Sequence, residues 1–393
     1  MARLLQLFAL SLLPTLRPSA SSPRPPRVGG GVTSAPRPWP NTTDGIHAFL
    51  SFDSALTAAE IAANGSRWDF VRGASPSTVA AFRRANPAVA LSAYIPFTRD
   101  MHAEQNLSWW QAHHPTWVVY QCDRTTPTYE FGDANVPLDI GNPAVVAYQL
   151  AYTSQMKGQG YDTISFDNFG TGNNFKACGT YAANGSWIQK WNGTHDDPLY
   201  TATVFWWLRH FSAGVRRQGL RLMPNFMLGG LAWNDSLVLQ IGNLTDGVVS
   251  EGGFTDNSER LLLGERWEAI IRFMTNLQDQ GKAYWSINEW GCAGTCAGGH
   301  TTATLAQKLA GKQALSFVVA VFLLVPIQSL ATGTANISHT VREWVLASYL
   351  MGKGAASGVY MVCNQCCAPS PPPLTFGSDS ARKQLFVSSV PLS

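Results

Sequence analysis

Between residues 44 and 364, short apolar runs rich in β-branched and aromatic residues alternate with longer stretches of helical periodicity. Nine runs read as strands: Ile46–Phe52, Trp68–Val71, Val89–Phe97, Trp117–Gln121, Thr163–Phe166, Leu220–Asn225, Gly247–Ser250, Ala283–Asn288 and Gly358–Val362. They lack clean alternation, as expected for strands buried on both faces. Between them, Asn142–Gly158 opens with Asn-Pro, a cap and first-turn pair. A second helix is expected over Asp197–Arg217, which opens on Asp-Pro. A third, Glu265–Gln280, carries Trp267, Ile270, Ile271, Met274 and Leu277 on one stripe. Repeated β–α units predict a parallel sheet. Some eight units in roughly 320 residues suit an α/β fold of the (β/α)8 TIM-barrel type. An open doubly wound sheet would want a Gly-rich first turn, and none follows Ile46–Phe52. Nine runs for eight places leave one extra.

The ends of the chain read differently. Residues 1–22 combine Arg3, an apolar stretch and a small-residue zone at Ser19–Ser22, the form of a secretory signal peptide. Residues 23–40, rich in Pro, Gly, Ser and Arg, read as a linker. The barrel then occupies 41–364, with an irregular tail over 365–393. Eight N-x-[ST] sequons, at Asn41, Asn64, Asn106, Asn184, Asn192, Asn234, Asn243 and Asn336, support a secreted or lumenal address. In an oxidising compartment the 7 cysteines default to disulfides ahead of zinc, despite the metal-like spacing of Cys292, Cys296, Cys363, Cys366 and Cys367. Their connectivity stays open, although Cys122 and Cys178 both lie just beyond strand ends on one rim and can pair.

Composition narrows the partners. Charged residues make up only 13% of the chain and hydrophobic ones 45%, enough for a large core. The formal charge of +3 is misleading, because five of the 28 basic residues and no acid fall in residues 1–40. The remainder carries 23 basic against 25 acidic residues, with no basic run to track a phosphate backbone, so no nucleic-acid partner is expected. The longest apolar run, Phe317–Ile327, is far short of the ~20 residues of a membrane helix and contains Pro326. Stable membrane insertion is not expected.

In such barrels the chemistry sits at the C-terminal ends of strands. Six runs close on a carboxylate or carboxamide: at Asp53, Asp123, Asp167-Asn168, Asn225, Glu251 and Asn288-Glu289. Singly, each is as easily a turn residue or helix cap. Together, aimed at one rim, two acids can divide nucleophilic and acid–base work, as glycoside hydrolysis requires. The 14 Trp supply flat faces for sugars, with Trp285 and Trp290 beside Glu289 the better placed and Trp206-Trp207 read as core. The sequence shows no G-x-S-x-G, H-E-x-x-H, Walker A or G-x-G-x-x-G pattern, and its His are scattered. No cofactor and no metal site is expected.

The strings WVVYQCD, PLDIGNP, YDTISFDNF, DGVVSEGGFT, WSINEWG and WVLASYLMGKG, in that order, resemble hypothetical glycosyl hydrolase family 15, which is related to the α-galactosidase-like barrels. The resemblance spans roughly Trp109 to Gly354. It implies a TIM-type barrel acting on glycosidic bonds, with a nucleophile after the fourth strand and an acid/base after the sixth, here Asp167 and Glu251. The expected enzyme is a secreted, retaining glycoside hydrolase acting on an oligo- or polysaccharide. Asp123, Asn168, Asn225 and Glu289 would hold sugar hydroxyls, and Tyr94 and Trp285 would offer stacking faces. A second arrangement makes Glu289 the nucleophile. The alternative from another class is a non-catalytic glycan-binding protein on a degenerate barrel.

Overall fold

A computed structural model of the chain describes residues 37–40, 48–51, 53, 56–101, 105–129, 135–228, 231–251, 253–256, 260–261, 264–290, 357–363 and 384–385. All of them belong to one compact unit beginning at Ser34. Its main sheet has nine strands; a two-residue strand, Gln384–Leu385, pairs antiparallel with the last of eight others. Those eight are β1 (Ala48–Ser51), β2 (Trp68–Arg72), β3 (Ala90–Pro96), β4 (Thr163–Asp167), β5 (Arg221–Pro224), β6 (Gly247–Glu251), β7 (Ala283–Trp290) and β8 (Ser357–Cys363). Their spatial order is β5-β4-β3-β2-β1-β8-β7-β6, every pairing parallel. The two ends of that order also touch. Asn225 and Val249 form a parallel bridge, Asp246 N–H donates to Leu222 O at 2.9 Å, and Phe226 N–H donates to Val249 O at 2.8 Å.

The ninth predicted run, Trp117–Gln121, is the extra one. It joins no strand of the sheet and makes isolated antiparallel bridges from Val118 to Leu138 and from Tyr120 to Pro127 and Gly179. It belongs to a long excursion between β3 and β4, where its backbone groups find partners outside the sheet.

Helices α1 (Ala58–Asn64), α2 (Val79–Ala85), α3 (Leu107–His113), α4 (Pro143–Gly158), α5 (Pro198–Arg217), α6 (Ser236–Leu244) and α7 (Glu265–Asp279) lie between the strands. Their starts follow local chemistry. Asn142 and Asp197 accept from the first free amides of α4 and α5, each ahead of a proline whose missing N–H is no loss there. Thr57 and Glu60 form a reciprocal capping box on α1. Trp207, on the inner face of α5, is buried and donates from its indole to Gln149 of α4 at 2.7 Å, so the Trp206-Trp207 pair does serve the core.

Two apolar layers result from the two faces of each strand. Leu50, Val71, Leu91, Ile95, Ile164, Phe166, Leu222 and Val248 pack against the helices. Phe49, Phe70, Ala90, Met223, Val249, Ala283, Trp285 and Ile287 pack on one another across the other face. Trp285 lies at the centre of that inner cluster, stacked on Phe70 with centroids 5.0 Å apart. The residues assigned from composition to the end of the linker join this cluster. Trp39 packs against Phe70 and Trp285, and the guanidinium of Arg221 sits 3.7 Å from its ring centroid.

Candidate active site

The period-two geometry that fills the inner layer also selects the site. Two residues beyond inward Phe70 comes Arg72, two beyond Ser165 comes Asp167, two beyond Met223 comes Asn225, and two beyond Val249 comes Glu251. Ser92 and Tyr94 follow the same step on β3. Polar groups from five neighbouring strand ends therefore converge at the carboxyl end of the sheet. Burying these same groups one layer lower would leave charges in an apolar interior.

The contacts bear this out. Asn225 Nδ2 donates to Asp167 Oδ1 at 2.9 Å and to Glu251 Oε2 at 2.8 Å. Those two oxygens thus lie no farther apart than the sum of the two bonds, 5.7 Å. Arg72 faces both acids from a different side: its two terminal nitrogens are 3.6 Å from Asp167 Oδ1 and 3.8 Å from Glu251 Oε1. The Arg72 side chain is 1% exposed, whereas those of Asp167 and Glu251 are 22% and 33% exposed. The acids are reachable and the cation is not.

Tyr94 completes the group. Its hydroxyl hydrogen-bonds to Asp167, and the Arg72 guanidinium lies 4.9 Å from its ring centroid. Burial pushes the phenol well above its ordinary range; the Arg72 charge opposes this, and the carboxylates of Asp167 and Glu251 push it further up. The phenol is therefore a neutral donor to Asp167. Sequence reasoning expected a sugar-stacking ring at this position, and the guanidinium occupies that role instead.

Asn168, directly after Asp167, adopts φ +55°, the left-handed conformation that asparagine tolerates better than most residues. It turns the chain off β4 at the rim, half-buried beside the acids.

Other expected residues stand elsewhere. Asp123 is exposed in a turn of the excursion, where its carboxylate accepts from the amides of Thr125 and Thr126 and from the Thr126 hydroxyl. The Thr126 hydroxyl, followed by the backbone amides, holds its carboxyl down at about 2. Asp123 is a turn former, as aspartates after apolar runs commonly are. Trp285 is 0% exposed and offers no face to a sugar, because its place on β7 puts it two steps down the inner layer. Asp53 is likewise buried and ties the β2–α2 connection through Ser75 and Thr78. The side chains of Glu289 and Trp290 lie outside the described residues, although Glu289 is on β7 in register with Val362.

The excursion forms a cross-linked rim. Cys122 and Cys178 are disulfide-bonded with Cα atoms 5.0 Å apart, the expected pairing, although Cys122 lies in a turn of the excursion and not beyond a strand of the sheet. Gly193 lies against this bridge at φ +77°, and a Cβ there would fall within 2.8 Å of both sulfurs. Buried Asp139 pairs with Lys190 across the excursion, and buried Asp100 accepts from the Trp110 indole and the Tyr148 hydroxyl. Among the described residues, no group of three or more His, Cys, Asp or Glu is arranged to hold a metal ion, and no helix is long and apolar enough to cross a membrane.

Arg72 is the residue that sequence reasoning missed. The search covered acids and amides at strand ends, and the predicted strand stopped at Val71, one residue short. The available signal was Phe70-x-Arg72, a basic residue in phase with a buried aromatic at the close of an apolar run.

Comparison with solved structures finds distant likenesses. The chain is similar to the glycoside hydrolase domain of PelA from Pseudomonas aeruginosa, at 14% identity over 71% of this chain and 91% of that one, with a TM-score of 0.40. It is also similar to Ega3 of Aspergillus fumigatus in complex with galactosamine, at 11% identity over 71% and 90%, with a TM-score of 0.38. A third likeness is to an α-galactosidase from Thermus thermophilus, at 11% identity over 54% and 44%, with a TM-score of 0.33. No protein-family model matches the chain, and no curated protein matches it.

Proposed function

We propose that this chain is a retaining glycoside hydrolase of the secretory pathway, built on a (β/α)8 barrel whose seam lies between β5 and β6. The observation that carries the reading is the single amide of Asn225 shared by Asp167 and Glu251. It keeps one oxygen of each of two partly exposed carboxyl groups no more than 5.7 Å apart, which supports the about 5–5.5 Å arrangement of a nucleophile and an acid/base over the roughly 6.5–9.5 Å one that seats a water between them. In the first step an Asp167 oxygen bonds to the anomeric carbon. The glycosidic C–O bond breaks toward oxygen, and that oxygen takes a proton from Glu251. In the second step Glu251 takes a proton from water, the water oxygen bonds to the anomeric carbon, and Asp167 leaves as carboxylate.

The neutral Tyr94 hydroxyl and Asn225 keep Asp167 oriented, and Asn168 and Glu289 stand at strand ends where sugar hydroxyls would be met. For the compartment, the support is the disulfide and the exposure of the sequon asparagines Asn106, Asn184, Asn192, Asn234 and Asn243. The test is a screen of aryl glycosides and of plant and microbial polysaccharides with the full chain, with Asp167→Asn beside it and the anomer of the first product read by NMR. Hydrolysis with retained configuration, reduced more than about a thousandfold in Asp167→Asn, is expected. Inverted product, or full turnover in that variant, overturns the assignment.

A further inference from the structure

A sequon lies directly on the disulfide of the excursion. Cys122 is exposed and its partner Cys178 is buried, so a thiolate arriving from solvent meets the Cys122 side of the bridge. Asn192 O is 3.5 Å from Cys122 Sγ, and the next residue, Gly193, has no room for a Cβ beside either sulfur. Asn192-Gly193-Thr194 therefore covers the bridge with its backbone and presents an exposed asparagine beside it.

The turn tolerates a sugar on that asparagine. Asn192 Oδ1 accepts from the Thr194 amide at 2.8 Å and from the Thr194 hydroxyl at 2.6 Å, and the Asn192 amide donates to Asp197. Each of these bonds spares Nδ2, the atom that carries an N-linked oligosaccharide. Asn184 repeats the pattern at the tip of the hairpin formed by Gly179–Tyr181 and Trp187–Gln189. Its Oδ1 accepts from the amide and the hydroxyl of Ser186 at 3.1 and 2.7 Å, and Gly185 follows at φ +79°. Asn64 differs: it is half-buried, and its Nδ2 donates to Glu60 O at 3.2 Å.

We propose that Asn192 carries an N-linked oligosaccharide that screens the Cys122–Cys178 bridge against thiol–disulfide exchange. The proposal rests on the secretory reading above and adds to it a modification site with a role. In attachment, Nδ2 loses a proton and bonds to the anomeric carbon of an oligosaccharide, whose lipid diphosphate carrier leaves as the anion. In the exchange that the sugar hinders, a thiolate of a dithiol reductant bonds to the Cys122 sulfur, the S–S bond breaks, and Cys178 leaves as thiolate and takes up a proton. The second thiol of the reductant then displaces Cys122, so the bridge is reduced and the dithiol becomes a disulfide. The rate depends on access to the attacked sulfur. A branched sugar rooted next to the glycine that covers both sulfurs obstructs that access, and it obstructs a protein reductant more than a small one.

The test uses the full chain secreted from a glycosylating host. Peptide mapping after enzymatic deglycosylation in heavy-oxygen water marks each modified asparagine, and Asn192 is expected among them. Reduction by thioredoxin is then followed through alkylation of Cys122 and Cys178, before and after an endoglycosidase trims every glycan to its first sugar. Trimming should speed reduction about threefold or more in the parent and in Asn184→Gln, with a smaller change when dithiothreitol is the reductant. In Asn192→Gln reduction should already be fast, and trimming should add nothing. Trimming substitutes no residue, so it separates the screen from any loosening of the Asn192 turn, and it decides the matter even where Asn192→Gln does not fold. An unmodified Asn192 in a chain whose other sequons are modified overturns the proposal and leaves the secretory reading standing. So do equal rates before and after trimming. A chain in which no sequon is modified fails the secretory reading and the proposal together.

Discussion

The two strands that carry the acids have an acid at each end. Asp162 immediately precedes β4, which ends in Asp167; Asp246 immediately precedes β6, which ends in Glu251. The lower pair is tied to the backbone. Asp162 accepts from Leu91 N–H and pairs with Arg83 and Arg37, while Asp246 accepts from Leu222 N–H at 2.9 Å and from Arg216 at 3.1 and 3.3 Å. The upper pair shares donors supplied by side chains alone; in exposure Asp167 matches Asp246, at 22% and 23%, while Asp162 is the buried one and Glu251 the most open.

The buried arginines at the two ends differ in the same sense. Arg221, at the foot of β5, is covered by Trp39, and burial pulls its pKa down to about 10 against the opposing charges of Asp162 and Asp246. Arg72 instead faces a rim where its partners are reachable. Identical residue types thus close one end of the sheet and equip the other. A carboxylate whose oxygens are bound to backbone amides is committed to the fold, whereas one held by movable side chains retains capacity for a reacting atom.

The sharpest way to break this contrast compares the two ends of one strand. Asp167→Asn should reduce kcat more than about a thousandfold and leave the unfolding midpoint nearly unchanged. Asp162→Ala should lower unfolding free energy by roughly 1–3 kcal/mol, because it leaves the Leu91 amide without its side-chain acceptor and removes the carboxylate that half-buried Arg83 pairs with, with kcat of the folded protein preserved. Turnover and urea unfolding on both variants check it; an exchange of the two phenotypes would dissolve the distinction.

Next in size, joint replacement of Cys122 and Cys178 by serine should cost about 2–4 kcal/mol, seen as a lower melting temperature that no longer responds to reductant. Thr57→Ala, which deletes the hydroxyl half of the α1 capping box and leaves the backbone amide of residue 57 bonded to Glu60, should cost about 1 kcal/mol in the same assay.

The smallest effect is at Asp123. Its folded pKa of about 2 lies below the ordinary 3.8, so the turn's contribution is complete above about pH 4 and disappears as pH falls through 2. NMR titration of the carboxyl follows it, and Asp123→Ala should abolish that component.

Much of this was legible along the chain. Each of the eight parallel strands coincides with a run of apolar, β-branched residues, and the caps at Asn142 and Asp197 marked where α4 and α5 begin. Asp167, Glu251 and Asn225 were legible because a polar residue closing a buried strand has few alternatives but the rim. The same rule misplaced Asp123, whose run was not a strand of the sheet, and Trp285, whose depth within the inner layer depends on register with Val249 and Gly358 and on packing against Phe70 and Phe49. Arg72 escaped because a basic residue after an apolar run usually belongs to solvent.

Local sequence determined the units, their handed repetition and the polar termini of the strands, since capping, periodicity and side-chain volume act within a few residues of the chain. Only the tertiary structure decided which polar termini meet. Convergence of Arg72, Tyr94, Asp167, Asn225 and Glu251 depends on inter-strand register, which ladder hydrogen bonds between segments up to tens of residues apart establish, and a slip of one residue would turn each of those side chains to the opposite face.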